Sequence, residues 1–231
     1  MSIRLNERVT CPKCGFLYEH ECCPSVNAST DPVLREQVIS GNICVTTCPS
    51  CSVVTRLVYP CLYQDPKKGF AVYFLPRTEA RSVPATGDME TLMECASAKI
   101  RRLVDDYTEL MEKITIFELG LDDRIMELFK AYTAISIMSA PNAAFKPDTL
   151  IFQGKGEDGS FVLLGIREKE VHQLSVPARL YSALDELIGD RDWGEGDDFV
   201  MVDMIWALDL LKKEGSILDK AGAVRPAGGV Q

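Results

Sequence analysis

The chain is poor in the residues and runs that several large function classes depend on. Its 2 histidines in 231 residues, His20 and His172, stand far apart, and His172 has no visible catalytic partner. No stretch approaches the roughly 18 apolar residues of a membrane span. The start, Met-Ser-Ile-Arg-Leu-Asn-Glu-Arg, is charged with no apolar run behind it, so no membrane segment or secretory leader is expected and the chain reads as cytoplasmic, with reduced thiols. Basic residues are outnumbered, 25 Lys and Arg against 34 Asp and Glu, for a net charge of −9. That balance argues against a phosphate-binding surface spread over the whole protein, because nucleic-acid affinity rests on Lys and Arg neutralising phosphates. Nucleic acid is therefore an unlikely partner, although a local patch of Lys13, Arg56, Lys67 and Lys68 stays open. Internal repeats are missing, as are a phosphate-cradling Walker loop, a dinucleotide fingerprint, a nucleophile elbow and a metalloprotease His pair.

Cysteine is abundant, with 9 in the chain. Cys11-Pro12-Lys13-Cys14-Gly15 has a twin in Cys48-Pro49-Ser50-Cys51-Ser52. In a Cys-x-x-Cys turn both sulfurs point into one concavity, and two such turns facing each other supply four soft ligands at tetrahedral geometry. Proline pre-sets the turn, and Gly15 gives the permissive backbone a knuckle needs after its second ligand. Cys11, Cys14, Cys48 and Cys51 are the expected ligands of one structural Zn²⁺ per chain, a closed set with no open coordination position. Disulfide or redox use and unligated thiols are the alternatives.

These motifs, with Asp31-Pro32-Val33-Leu34 between them and Tyr59-Pro60-Cys61-Leu62-Tyr63-Gln64-Asp65-Pro66 after them, resemble the bacterial and archaeal CpXC domain family, named for its two Cys-Pro-x-Cys motifs. The run from Glu112 to Arg124 is similar to the region that follows in longer members. The resemblance implies a metal-binding module and attaches no substrate or reaction to it.

Residues 1–76 read as the first unit. Phe16 to Val26 alternates as a half-buried strand. Thr30 or Asp31 caps a short helix with Pro32 near its first turn, ended by Gly41. Ile43 to Thr47 enters the second knuckle, Val53 to Tyr63 leaves it, and Asp65 to Gly69 turns the chain into the strand Phe70 to Leu75. The expected architecture is α+β: an N-terminal zinc-ribbon-like β module with a helical insertion, then long helices and a small α+β region. Losing one knuckle cysteine is expected to unfold residues 1–76. Cys22, Cys23, Cys44 and Cys61 are expected to pack as small hydrophobes, with a thiol redox sensor as the sharper alternative. His20 is expected half-buried on its strand rather than as a ligand.

Residues 77–88 read as a linker. In 89–139 apolar residues recur at alternating steps of four and three from Met89 to Leu121, predicting a helix from about Met89 to Leu119, roughly 45 Å long. Gly120 stops it and Asp122 caps a second helix reaching about Met138. This seam packs inside the protein or pairs two copies through residues 89–138. Glu118, Asp122, Asp123 and Glu127 cluster near the break, where capping and dipole complementation compete with a carboxylate site. Residues 140–214 read as a small α+β region, with strands Thr149 to Gln153 and Ser160 to Ile166 joined by a glycine-rich turn, a third strand near His172, and helices from Pro177 and over Phe199 to Glu214. Residues 215–231 read as a disordered tail. The function so expected is a structural zinc-binding protein, non-enzymatic, acting as a protein-interaction or regulatory module; a nucleic-acid-associated ribbon and a thiol sensor are the alternatives.

Overall fold

The computed structural model describes residues 1–77, 98–194, 196 and 198–214. The proposed tail, nearly all of the linker, and the expected helix from Met89 to Ser97 lie outside them. Among the described residues the fold is α+β, with ten strands, five helices and a mixed sheet. None of the helices is long and apolar enough to cross a membrane.

The chain divides into two compact units, one holding Met1–Ile114 and Asp197–Val200, the other Thr115–Gly196 and Met201–Gln231. The first is built on a five-stranded sheet in the order β1-β2-β5-β6-β7, from β1 (Ile3–Thr10), β2 (Leu17–Asn27), β5 (Cys61–Asp65), β6 (Phe70–Phe74) and β7 (Ile100–Val104). β2 pairs parallel to β5 and β6 parallel to β7, while the other pairings are antiparallel. β5 and β6 are buried along their whole length: β6 is an apolar run, and β5 buries Gln64 and Asp65 after Cys61, Leu62 and Tyr63. β1 is a strand that the sequence reading passed over, although Ile3, Leu5 and Val9 alternate with Arg4, Asn6 and Arg8. Helix α1 (Pro32–Ile39) starts as expected: the Leu34 N–H donates to the Asp31 carboxylate at 3.0 Å, and Leu34 and Val38 turn inward. A two-stranded ribbon of β3 (Val45–Thr47) and β4 (Val54–Arg56) completes the unit. The single strand expected from Val53 to Tyr63 is two, because Pro60 has no N–H to give a ladder and β5 belongs to the main sheet.

The long helix is a correction. Ile100–Val104 is strand β7, and helix α2 (Tyr107–Glu118) begins only after it. Ile100, Arg102 and Val104 also fit a period of two, and pairing with the fully buried β6 satisfies their backbone in the core, so tertiary pairing overrides the heptad pattern. Asp106 marks the true helix start: its carboxylate accepts from the Thr108 N–H at 2.7 Å. The Asp106…Glu109 spacing resembles a capping box, a signal that was present in the sequence.

The second unit contains the end of α2, then α3 (Asp123–Ser139), a three-stranded antiparallel sheet β10-β9-β8 made of β8 (Thr149–Lys155), β9 (Phe161–Arg167) and β10 (Glu170–Val176), and helices α4 (Arg179–Ile188) and α5 (Met204–Lys213). Gly120, at φ 68°, ends α2 in a Schellman motif: its N–H donates to Phe117 O and that of Leu121 to Ile116 O. α3 packs against α4, α5 and β8, and Phe129, Phe152 and Tyr181 meet Phe161 edge-on. The helix expected from Phe199 starts at Met204, capped by Asp203, because Phe199 and Val200 belong to the first unit. There Val200 O accepts from the Leu103 N–H and Phe199 packs edge-on against Tyr73.

Candidate metal centre

Two arms leave the first unit's sheet and meet at their tips. The N-terminal half of β2, Leu17 to Glu21, is exposed or half-exposed and paired with β1 alone, so this hairpin projects beyond the sheet with Cys11 and Cys14 in its turn. The β3–β4 ribbon carries Cys48 and Cys51 in its own turn.

The turns are near copies of each other. In the first, the Cys11 N–H donates to Phe16 O at 2.9 Å and the Gly15 N–H to Cys11 O at 3.0 Å; in the second, the Cys48 N–H donates to Val53 O and the Ser52 N–H to Cys48 O, both at 2.9 Å. Gly15 and Ser52 occupy the same place after the second cysteine and share the left-handed backbone, at φ 74° and 56°. Serine pays steric strain there that glycine avoids.

All four sulfurs lie within 4.8 Å of one another. Cys11 Sγ is 3.7 Å from Cys51 Sγ, and Cys14 Sγ is 3.7 Å from Cys48 Sγ. A tetrahedron with metal–sulfur bonds of about 2.3 Å has edges of about 3.8 Å, so these separations fit one four-coordinate ion. They are far from the roughly 2.05 Å of a disulfide. Cys11 and Cys48 are buried, Cys51 half-buried and Cys14 exposed.

The electrostatics point the same way. Burial pushes the Cys11 thiol up, but the N–H groups of Cys14 and Lys13 and the neighbouring sulfurs outweigh it and bring it down to about 6. Cys51 is helped by the Val53 N–H, yet desolvation and the three other sulfurs raise it to about 11. One sulfur ionises readily and the next is resisted by the charge already there, and a cation in the middle removes that resistance.

The other cysteines behave differently. Cys22, Cys23, Cys44 and Cys61 are all buried. Desolvation leads the shift of each: Cys22 rises to about 12, Cys44 to about 11, and Cys23 and Cys61 also rise. The Cys61 thiol donates to Cys23 O at 3.2 Å, and the Cys23 N–H donates to the Tyr59 hydroxyl at 3.0 Å. They are packed, protonated thiols. His20 is half-buried on β2 and no part of the sulfur cluster. Cys95 lies outside the described residues.

Two of the four acidic residues have structural partners. Asp122 caps α3, accepting from the Arg124 N–H at 2.8 Å and from its guanidinium, and Glu127 pairs with Lys130 at 3.0 Å, both buried. Among the described residues Glu118, Asp122, Asp123 and Glu127 form no group close enough to share an ion. Nor do the four cations form one patch. Lys67 and Lys68 sit in the turn capped by Asp65, beside Ser29 just past the C-terminal end of β2, whereas Lys13 lies beyond its N-terminal end. The 11 residues of β2 put about 35 Å between those ends. Arg56 is already committed, donating to Gly41 O and Ile43 O with its guanidinium 3.9 Å over the Tyr107 ring.

The model of one protein family, the CpXC protein, matches residues 9–130, more than half of the chain and both knuckles. No curated protein and no solved structure matches.

Proposed function

The chain belongs to the CpXC family, and on that premise we propose that Cys11, Cys14, Cys48 and Cys51 hold one structural Zn²⁺ that ties the two arms into a zinc-ribbon-like module serving protein interaction or regulation. The sulfur geometry carries the reading: four thiolates at tetrahedral spacing complete the first coordination sphere of a borderline-soft ion and leave no position for a substrate or an activated water. Zinc also suits the job because it has no redox chemistry of its own. Interaction rather than catalysis is supported by what surrounds the site. Phe16, Leu17 and Val54, next to the knuckles, are 46, 53 and 63 % exposed, an apolar surface whose shape depends on the ion. Along the apolar seam, Leu110, Ile114, Phe117, Ile125 and Leu128 are buried while Ile135 is 38 % exposed.

The deciding experiment is elemental analysis of protein purified without oxygen, paired with a count of reactive thiols before and after chelation. One zinc per chain and four thiols released by chelator support the reading. Iron in stoichiometric amount, or no metal with the knuckle thiols oxidised in pairs, overturns it.

A further inference from the structure

The sheet edges in this chain are not equally defended. β1, the outer strand of the five-stranded sheet, carries Arg4, Glu7 and Arg8 and shifts register between Ile3 and Leu5. At the other edge, β7 is bridged by Val200. β8 shifts register between Phe152 and Gly154 and ends on Lys155. Charges, bulges and covering segments are the means by which proteins keep edge strands from pairing with other chains. β10 has a charge only at its first residue, Glu170, and Phe145 stacks on the His172 ring at 4.1 Å, but among the described residues no bulge interrupts it and no segment pairs with its outer edge. Its register with β9 runs unbroken through seven pairs, from Glu170 opposite Arg167 to Val176 opposite Phe161. Between Val171 and Val176 there is no charged residue and no proline, and Val171 is 57 % exposed.

The hydrogen-bonding pattern identifies which backbone groups have no ladder partner among the described residues. β9 and β10 are joined by the two-residue turn Glu168-Lys169, with Glu168 at φ 53°. Such a turn makes Arg167 and Glu170 a hydrogen-bonded pair. By alternation Val171, Gln173 and Ser175 then direct their N–H and C=O groups away from β9, toward solvent.

We propose that β10 is where two copies of this chain associate, edge to edge and antiparallel, joining two three-stranded sheets into one of six. Only an extended backbone can satisfy alternating donors and acceptors along such an edge. The edge is also self-complementary: a two-fold axis at Gln173 sets it against its own counterpart and Val171 against the partner's Ser175, with no like charges opposed. A chain of net charge −9 tends to repel its copy, and the run from Val171 to Val176 adds no like charges of its own to that repulsion. The inference does not depend on the metal.

The test is sedimentation of the full-length, metal-loaded chain over a concentration series, with amide exchange read residue by residue. The expected result is a reversible dimer in which the Val171, Gln173 and Ser175 amides gain protection with concentration, while those of His172 and Leu174, already bonded to β9, do not change. Gln173→Pro deletes a central outward N–H, and Gln173→Lys keeps the N–H but sets two ammonium groups face to face; each should weaken the dimer by roughly tenfold or more. If the proline variant misfolds by circular dichroism, the lysine variant decides. A chain that stays monomeric throughout overturns the proposal, as does a dimer that leaves those three amides unprotected or tolerates Gln173→Lys.

Discussion

Removing the metal should open the two arms and leave standing the sheet from which they spring. The perturbation is Cys14→Ser, or a strong chelator added to the native chain. A structural zinc in a small module is worth on the order of 10–16 kcal/mol near neutral pH, and that free energy doubles as folding energy wherever little else holds the chain. The arms fit that description. Thr46 is the one buried residue in β3 and β4, and none of Leu17 to Glu21 in β2 is buried. The sheet does not fit it. All of β5 and β6 is buried, and at about 1.5–3 kcal/mol for each large apolar side chain, Leu62, Tyr63, Phe70, Val72, Tyr73 and Phe74 contribute on the order of 10 kcal/mol, and none of their cross-strand partners is a knuckle cysteine. β6 makes five of its ten strand pairs with β7, beyond residue 76, so the loss should be narrower than the whole of residues 1–76. Hydrogen exchange read by mass spectrometry makes the distinction. After chelation residues 10–21 and 45–56 should lose protection while Cys61–Asp65 and Phe70–Phe74 keep theirs. A single cooperative loss that takes β5 and β6 along with the arms would refute the reasoning.

Two further outcomes follow from local geometry. Ser52 holds a left-handed backbone at a cost of about 1–2 kcal/mol, and glycine returns about 0.4–1 kcal/mol of that to the unfolded chain. Ser52→Gly should therefore stabilise the metal-bound module by about 0.5–1 kcal/mol, and Gly15→Ser should destabilise it by a similar amount, since a Cβ at Gly15 meets nothing within 4 Å and only the backbone term differs; urea midpoints that move the other way would sink this account. Asp31 is held below the usual carboxylate range, first by the Leu34 N–H and then by the Arg4 guanidinium. A depressed folded-state pKa means stability that is present above the unfolded value of about 3.9 and lost as pH falls through the lower folded value. The stability gap between wild type and Asp31→Asn should thus close as the solution is acidified below about pH 4, and a gap that widened there would contradict the pairing.

What could be read from the sequence was whatever local chemistry decides. The knuckles, the Asp31 and Asp122 caps and the Gly120 stop each rest on a few neighbouring residues, and each stands where its residues put it. The misreading at Ile100–Val104 has the opposite origin. Five residues there satisfy both periods, and the choice is made by β6, some thirty positions earlier, whose buried backbone needs a partner. β4 and β5 read as one strand from sequence for a related reason: nothing local says that Cys61 belongs beside Phe74 and Arg56 beside Val45. The four cysteines of the cluster stand out by their spacing, but the arms that bring Cys11 to within 3.7 Å of Cys51 depend on a sheet order in which β2 skips past β3 and β4 to pair with β5.

The same side chain serves two opposite ends in this protein, and the difference lies in what faces the sulfur. At the knuckles backbone N–H groups point at Cys11 and three other sulfurs crowd it, so charge is drawn in and a cation is wanted to balance it. At Cys22, Cys23, Cys44 and Cys61 apolar burial leads, charge is refused, and the thiols act as filler between β2, β5 and the β3–β4 ribbon. A thiol sensor needs a sulfur that is both accessible and readily ionised. Among the described cysteines only Cys14 and Cys51 are accessible, and both belong to the four-sulfur cluster that could hold a metal ion. Among the described cysteines an oxidant therefore meets the four-sulfur cluster before the buried thiols, and on the proposed zinc reading a redox response there would pass through loss of the ion.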